Sequence, residues 1–435
     1  MKIDFDFNNL FSVNLVIALA LVGSTFTQVR FSGLPIGVSD IFFISYIIYS
    51  IGLLSISLNY HSSFKLMDST RSLIMPLFLF LFFYVILMFA GTIYSNFLLT
   101  NGNLVFPWHP DGLSLILNPY HNLLAFTYLF VIYTVLFIRG DIEIGLVAIY
   151  TVILLSFVTA IFYIISRYTD SIFGISLYYL WTDRLMLFTK SPNHLGDFIA
   201  PLPFLLLYFV KNSKSIILTS FLIFLMITTL LVGIDSLSNS TIIGILTGFV
   251  YLFLHYIFRG KYGLHFIVSL VLFTLGVILF IQYFYSDEIH DAIKNFYDSG
   301  NVYEFPKSLV YDIYIRQGLF FNAIEIGNMS PFFGLGAGAS SGVIEPLLGR
   351  ESHNNLSEII MTSGYLGLLA YLCLMFYTFA KISIAGKPML MSAFIVITIT
   401  TMFHMQLRQP LFWFYILFLL YFSSSISDEE QKITK

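Results

Sequence analysis

Charge is what this chain has least of: charged residues make up 10% of its 435 positions, where soluble domains carry about 25%. A lone cysteine, Cys373, excludes a disulfide framework and a thiolate metal site; inside an apolar run it reads as a small core or lipid-facing residue. The net charge of −3 offers no basic field for nucleic acid. Short alternating segments separated by turns are missing, which excludes a transmembrane β-barrel. There is no fixed-period repeat and no tight cluster of Asp or His at metal-ligand spacing. Asp287, Glu288, His290 and Asp291 form one loose group, read as a hydrated helix end rather than a divalent-ion site.

What the chain has in excess is apolar surface. Hydrophobic residues make up 58% and the mean hydropathy is +0.86, so lipid is the expected solvent. A bilayer core of about 30 Å takes about 20 apolar residues per helix. Within it the backbone must bond internally, so continuous apolar runs predict helices. Such runs fall at 10–29, 38–58, 73–95, 121–138, 144–166, 195–210, 215–233, 239–258, 264–285, 355–380, 388–404 and 409–425. The first follows Lys2 and is read as an uncleaved span. The sixth is short and holds Pro201 and Pro203. The expected fold is an all-α polytopic integral membrane protein of about twelve transmembrane helices, one membrane domain over 1–435.

Basic residues set the orientation. Lys65, Arg71, Arg139, Lys211, Lys214, Arg259, Lys261, Lys381 and Lys387 all fall in connections that face one side. The short connections of the other side hold only Arg30 and Arg408. The positive-inside pattern puts the first group, and both termini, in the cytoplasm. Three outer connections are longer: 96–120, 167–194 and 286–354. The last is too long for a structureless loop and is rich in aromatics such as Phe296, Tyr297, Tyr303 and Tyr311. It predicts short helices lying at the outer interface between the ninth and tenth spans. In WHPDG, Trp108, His109 and Asp111 could contact sugar with His121, but Pro and Gly make a plain turn the stronger reading.

The most distinctive stretch runs from Gly334 to Tyr371. The glycines of GLGAG allow a tight, close-approaching backbone, whether a ligand loop or a re-entrant turn. His353 and Asn354 follow, at the mouth of the tenth span. An imidazole there can accept a proton or simply bond a loop carbonyl. Asn354 and Glu358 are four apart and are expected on one helix face. Gly364 and Gly367 are three apart, a spacing that lets another helix pack closely.

His-Asn, nine residues, Gly, two residues, Gly resembles the signature of the O-antigen ligase and polymerase family, bacterial membrane glycosyltransferases acting on undecaprenyl-diphosphate-linked glycans. Upstream, Arg316 to Gly338 looks like that family's segment of an Arg, a helical stretch, a Pro and a Gly-rich turn. RLMLFTKSPNHLGDF, from Arg184, looks like its Arg, then Pro-Asn, then Gly leading into a span. Asn239 stands where the family more often has Arg, and Thr362 where it often has an acid, which leaves Glu358 as the nearby carboxylate. The similarity covers roughly residues 180–410.

The resemblance implies metal-independent glycosyl transfer without a cofactor, at the outer face of the bacterial inner membrane. Its partners would be a lipid-diphosphate glycan donor and acceptor, membrane lipid and a chain-length regulator. Arg184 and Arg316 would hold the donor diphosphate, which suits a planar, always-charged guanidinium; salt bridges to Asp183 or Asp312 are the plainer alternative. His353 would activate or orient the acceptor hydroxyl. Asn354, Asn193, Lys190 and Glu358 would contact substrate. Arg408, beside Pro410, reads better as snorkelling to headgroups. The expected activity is polymerisation of O-antigen or capsular repeat units. A ligase that moves glycan onto lipid A core shares the pattern, and a flippase would share the hydropathy.

Overall fold

The computed structural model describes residues 13–29, 37, 41–48, 68–100, 127–133, 142–179, 184–258, 309–337 and 354–424. These are mostly helical: α1 (Val13–Gly23), α2 (Asp68–Thr100), α3 (Ile144–Ser166), α4 (Pro192–Ile199), α5 (Leu202–Asn212), α6 (Ile216–Asp235), α7 (Asn239–Ile257), α8 (Leu309–Asn328), α9 (Asn355–Ala385), α10 (Pro388–Phe403) and α11 (Pro410–Ser424). Residues 41–48 and 127–133 are helical as well. Among the described residues six helices are long and apolar enough to cross a membrane: Met75–Ser95, Ile144–Ser166, Pro192–Asn212, Ile216–Asp235, Asn239–Ile257 and Asn355–Ala385. This is the build of a helical membrane protein. The span expected at 264–285 lies outside the described residues, and those at 38–58 and 121–138 lie partly outside.

Pro192–Asn212 is one apolar segment folded as two helices. Pro201 has no N–H to offer α4, whose last bond is Ala200 N–H to Gly196 O at 2.9 Å. The chain restarts at once, with Phe204 and Leu205 N–H both bonded to Pro201 O at 3.2 Å. The centre of the bundle is α11, apolar all round and buried from Leu411 to Leu420. It packs against α1, α2, α3, α9 and α10. Its few polar atoms are satisfied: Trp413 Nε1 donates to Leu407 O (2.7 Å) and Tyr415 Oη to Phe198 O (2.6 Å).

The bundle has two chemically different ends. At one, α5 turns into α6 and α9 into α10, beside Lys211, Lys214, Lys381 and Lys387. Lys387 Nζ donates to Phe422 O (2.5 Å) in the last turn of α11, a cation on a helix C-terminus. The opposite end gathers the N-termini of α4, α7, α9 and α11. There the 167–190 connection departs from the all-α expectation. Strands β1 (Ser171–Ile172) and β2 (Ile175–Ser176) pair antiparallel. The turn residues Phe173 (φ 48°) and Gly174 (φ 79°) are both left-handed, as a two-residue type I′ hairpin requires.

Within the long 286–354 connection, the described residues include the 20-residue α8, packed along α9 with Gly327 against Ile360; the rest of the segment expected to carry short interfacial helices lies outside the described residues. Residues 330–337 then run back into the bundle, between α2 and α9. They meet α9 where its helix is broken at Gly364 (φ 67°, ψ −169°). Leu335 and Gly336 N–H bond Met361 O (2.7 Å) and Thr362 O (3.1 Å), carbonyls exposed by the break. Tyr365 N–H reaches Pro331 O at 2.8 Å. GLGAG is thus a re-entrant turn in its described residues. A Cβ on Gly336 would meet Thr92 N at 2.3 Å, and one on Gly91 would meet Gly336 N at 2.5 Å. Gly364 and Gly367 do not form a helix-packing pair. Gly364 makes the break, and Gly367 leaves room for Ser363 of its own helix, whose Oγ would lie 1.9 Å from an added Cβ.

Candidate functional site

Arg184 enters the site from a segment held by Gln28. Gln28 Nε2 faces Ser176 O (2.7 Å), Leu187 O (2.8 Å) and Thr189 O (2.8 Å), while its Oε1 accepts from Ser176 N–H (3.1 Å). One amide therefore ties the end of α1 to the hairpin and to the 184–190 segment. Lys190 is exposed, and its backbone N–H bonds Thr27 Oγ1 (2.8 Å). Ser191 then caps α4, its Oγ accepting from His194 N–H (3.2 Å), with Pro192 at the first helical position.

The Arg184 guanidinium is fixed on two sides. Nε donates to Ser236 O (3.1 Å) at the end of α6, and Nη2 donates to Asn193 Oδ1 (3.0 Å) in α4. The Asn193 carbonyl is thus an anchor for Arg184. Nearby, Asp235 accepts from Tyr163 Oη (2.8 Å) of α3 and pairs with Arg167, the residue that caps its end. The N-termini of α4 and α7 stand beside Arg184 and add the positive ends of their helix dipoles.

The second part of the site is built by α9 and the 404–409 segment. Asn354 is the cap of α9, and its backbone O accepts the i+4 bond from Glu358 N–H (3.1 Å). Its Oδ1 accepts from Leu356 N–H (2.7 Å) and Ser357 N–H (3.4 Å), and its Nδ2 donates to Met402 O (2.9 Å). The Asn354 side chain therefore fastens α9 to α10. Glu358, 3% exposed, accepts from Arg408 Nη2 at 3.1 Å. Arg408 is accordingly turned into the bundle toward a carboxylate, where headgroup snorkelling had been expected. Behind Glu358, Thr362 Oγ1 donates to Glu358 O (2.7 Å) and accepts from Tyr84 Oη (2.9 Å).

A buried polar layer joins these two parts, and its central pair, Asp197 and His404, had no role assigned from sequence. His404, at the end of α10, has Nδ1 2.8 Å from Asp197 Oδ1 and 3.1 Å from Ser240 Oγ. Ser240 Oγ lies 3.1 Å from Ser238 Oγ. Two residues on, Gln406 N–H donates to Asn355 Oδ1 (2.8 Å). The belt runs from Arg184 through Ser236–Ser240, Asp197 and His404 to Asn355, Glu358 and Arg408. Asp197 stands four residues after the recognised Asn193, and His404 four before Arg408. His404, a single polar residue between Phe403 and Met405, carries no spacing signal until the helices are packed.

Arg316 lies on α8, and only its backbone position is described. His353, Trp108, His109, Asp111, His121 and the Asp287–Asp291 group lie outside the described residues. Arg184, Lys190, Asn193, Asn354 and Glu358 all fall at one end of the bundle. No group of three or more His, Cys, Asp or Glu suited to a metal ion occurs among the described residues. No family model matches the chain, and no curated protein matches it.

Proposed function

We propose that the protein polymerises lipid-linked oligosaccharide repeat units by glycosyl transfer at the membrane surface. The observation that carries this reading is Arg184, a guanidinium held by Ser236 and Asn193 beside two helix N-termini, at the mouth of a bundle otherwise built for lipid. A fixed cation beside two helix N-termini favours a diphosphate and the charge that grows on it as it leaves. Arg316 adds a second cation from α8. His353 orients the acceptor hydroxyl as the donor sugar moves across. The donor carries its own leaving group, so no other energy source is required. The end bearing Arg184 faces away from the cytoplasm, opposite Lys211, Lys214, Lys381 and Lys387.

The test is complementation of a deletion strain with R184A, R316A and H353A, reading polysaccharide chain length on gels. Each variant should insert normally and yield glycans of one repeat unit. Glycan absent altogether from the core would mark a ligase instead, and normal ladders from all three variants would dispose of both. Buried ionisable groups such as Asp197 and Glu358 are also used by ion-coupled carriers. In that second reading the variants would trap repeat units on the cytoplasmic leaflet.

A further inference from the structure

We infer that His404, oriented by Asp197, is a catalytic base of this site, receiving the proton of the acceptor hydroxyl at Nε2. The inference rests on the glycosyl-transfer reading above and assigns it a group that no motif contains.

Asp197 and His404 are among the least favourable residues to bury, and their side chains are 3% and 7% exposed. Taking a carboxylate out of water costs several kcal/mol unless it is paired and hydrogen-bonded. Asp197 recovers this through His404 alone among the described residues. A carboxylate only accepts, so Nδ1 carries the hydrogen and the tautomer is set. Ser240 Oγ shares the same ring edge. Nε2 then bears the lone pair. It makes no hydrogen bond among the described residues, and it is not among the sealed, unpartnered polar atoms. A helix staple would engage both ring nitrogens or bury the idle one. Here one nitrogen is anchored to an acid and the other is left open.

Position agrees with chemistry. His404 ends α10 between Met402, whose carbonyl holds the α9 cap Asn354, and Arg408, which pairs with Glu358. Asp197 belongs to α4, whose first turn holds Asn193 and through it Arg184. The histidine therefore sits in the layer between the cationic part and the α9 mouth. In the reaction, the acceptor oxygen forms its bond to the anomeric carbon while its proton passes to Nε2. The bond from that carbon to the diphosphate oxygen breaks, and the electron pair leaves with the diphosphate. The imidazolium formed is balanced by Asp197, and it returns its proton to water or to the released diphosphate.

The experiment uses the full-length protein in membranes from the deletion strain, with that strain's own lipid-linked repeat unit as substrate. H404N keeps a donor where Nδ1 stood and so preserves the bond to Asp197, but it has no basic atom. D197N keeps an acceptor for Nδ1–H and removes only the charge. Loss of a positioned base costs roughly 10²–10⁴-fold in rate, so both variants should insert at wild-type levels and lose long chains by that factor. Free imidazole should restore part of the activity of H404G. A packing role predicts near-normal ladders from H404N and D197N and no rescue, and that result would overturn the inference. If H404N fails to insert, D197N and the rescue of H404G decide it. R184A is assayed alongside. Normal H404N and D197N with an inactive R184A would sink this inference alone, whereas activity in all of them would sink the polymerase reading as well.

Discussion

Replacing Gly364 with Ala tests the packing of the re-entrant segment into the broken helix. The native backbone there, φ 67° and ψ −169°, belongs to a region populated almost only by glycine, at a cost of about 1–3 kcal/mol for other residues. The added Cβ would also lie 2.6 Å from Phe332 C, 2.7 Å from Phe332 O and 2.7 Å from Phe333 N. These are backbone atoms, so no rotamer change relieves the contact, and overpacking of this kind adds about 1–3 kcal/mol. Moving the segment away instead would strip Met361 O and Thr362 O of their partners inside the bundle. The sum is about 2–6 kcal/mol. Gly174 supplies the control. It too has a positive φ, 79°, but a Cβ there meets nothing within 4 Å, so G174A should cost only about 1–2 kcal/mol. Both variants, in detergent, are heated and the monodisperse fraction is followed by size-exclusion chromatography. G364A should lose its peak well below G174A, which should stay close to wild type. Equal melting of the two would refute the account of the kink, because backbone conformation alone would then explain both.

Two further outcomes follow from single side chains. R408A removes the Arg408 partner of Glu358, which is 3% exposed; losing one member of a buried pair costs about 3–5 kcal/mol. Because Arg408 itself is a quarter exposed, the lower end is expected, and adding E358Q should recover most of the loss in the same melting assay. Cys373, exposed and the sole cysteine, lines a lipid-facing groove of about 560 Å³ with Pro76, Phe80, Phe83, Leu374 and Tyr377. An apolar maleimide should label it in native membranes, and a charged one should not until detergent is added. Labelling of intact membranes by the charged reagent would place this part of α9 in water.

The helices were legible because lipid leaves a chain no other way to satisfy its backbone. A run such as 144–166 or 215–233 predicts its own helix, α3 and α6, with little help from neighbours. The stretch from Arg184 to Asn193 was marked only by the family resemblance, which expected Asn193 to contact substrate; the structure joins Asn193 to Arg184 directly. The glycines were visible as residues but not as geometry. Gly364 looked like a helix-contact position, yet its positive φ exists only because residues 331–337 come back from a distance in sequence to fill the break.

The amino-acid pattern by itself therefore determined the solvent, the helical class and the clustering of basic residues on one set of connections. These depend on composition and on contacts within a single run. Tertiary structure alone decided that Arg408 turns inward to Glu358, that the Asn354 amide reaches Met402, and that Asp197 meets His404. Each of these is a bond between distant segments, at separations of 48 to 207 positions. Such partners are chosen by how apolar surfaces pack, and packing leaves no periodic trace in the sequence of either one.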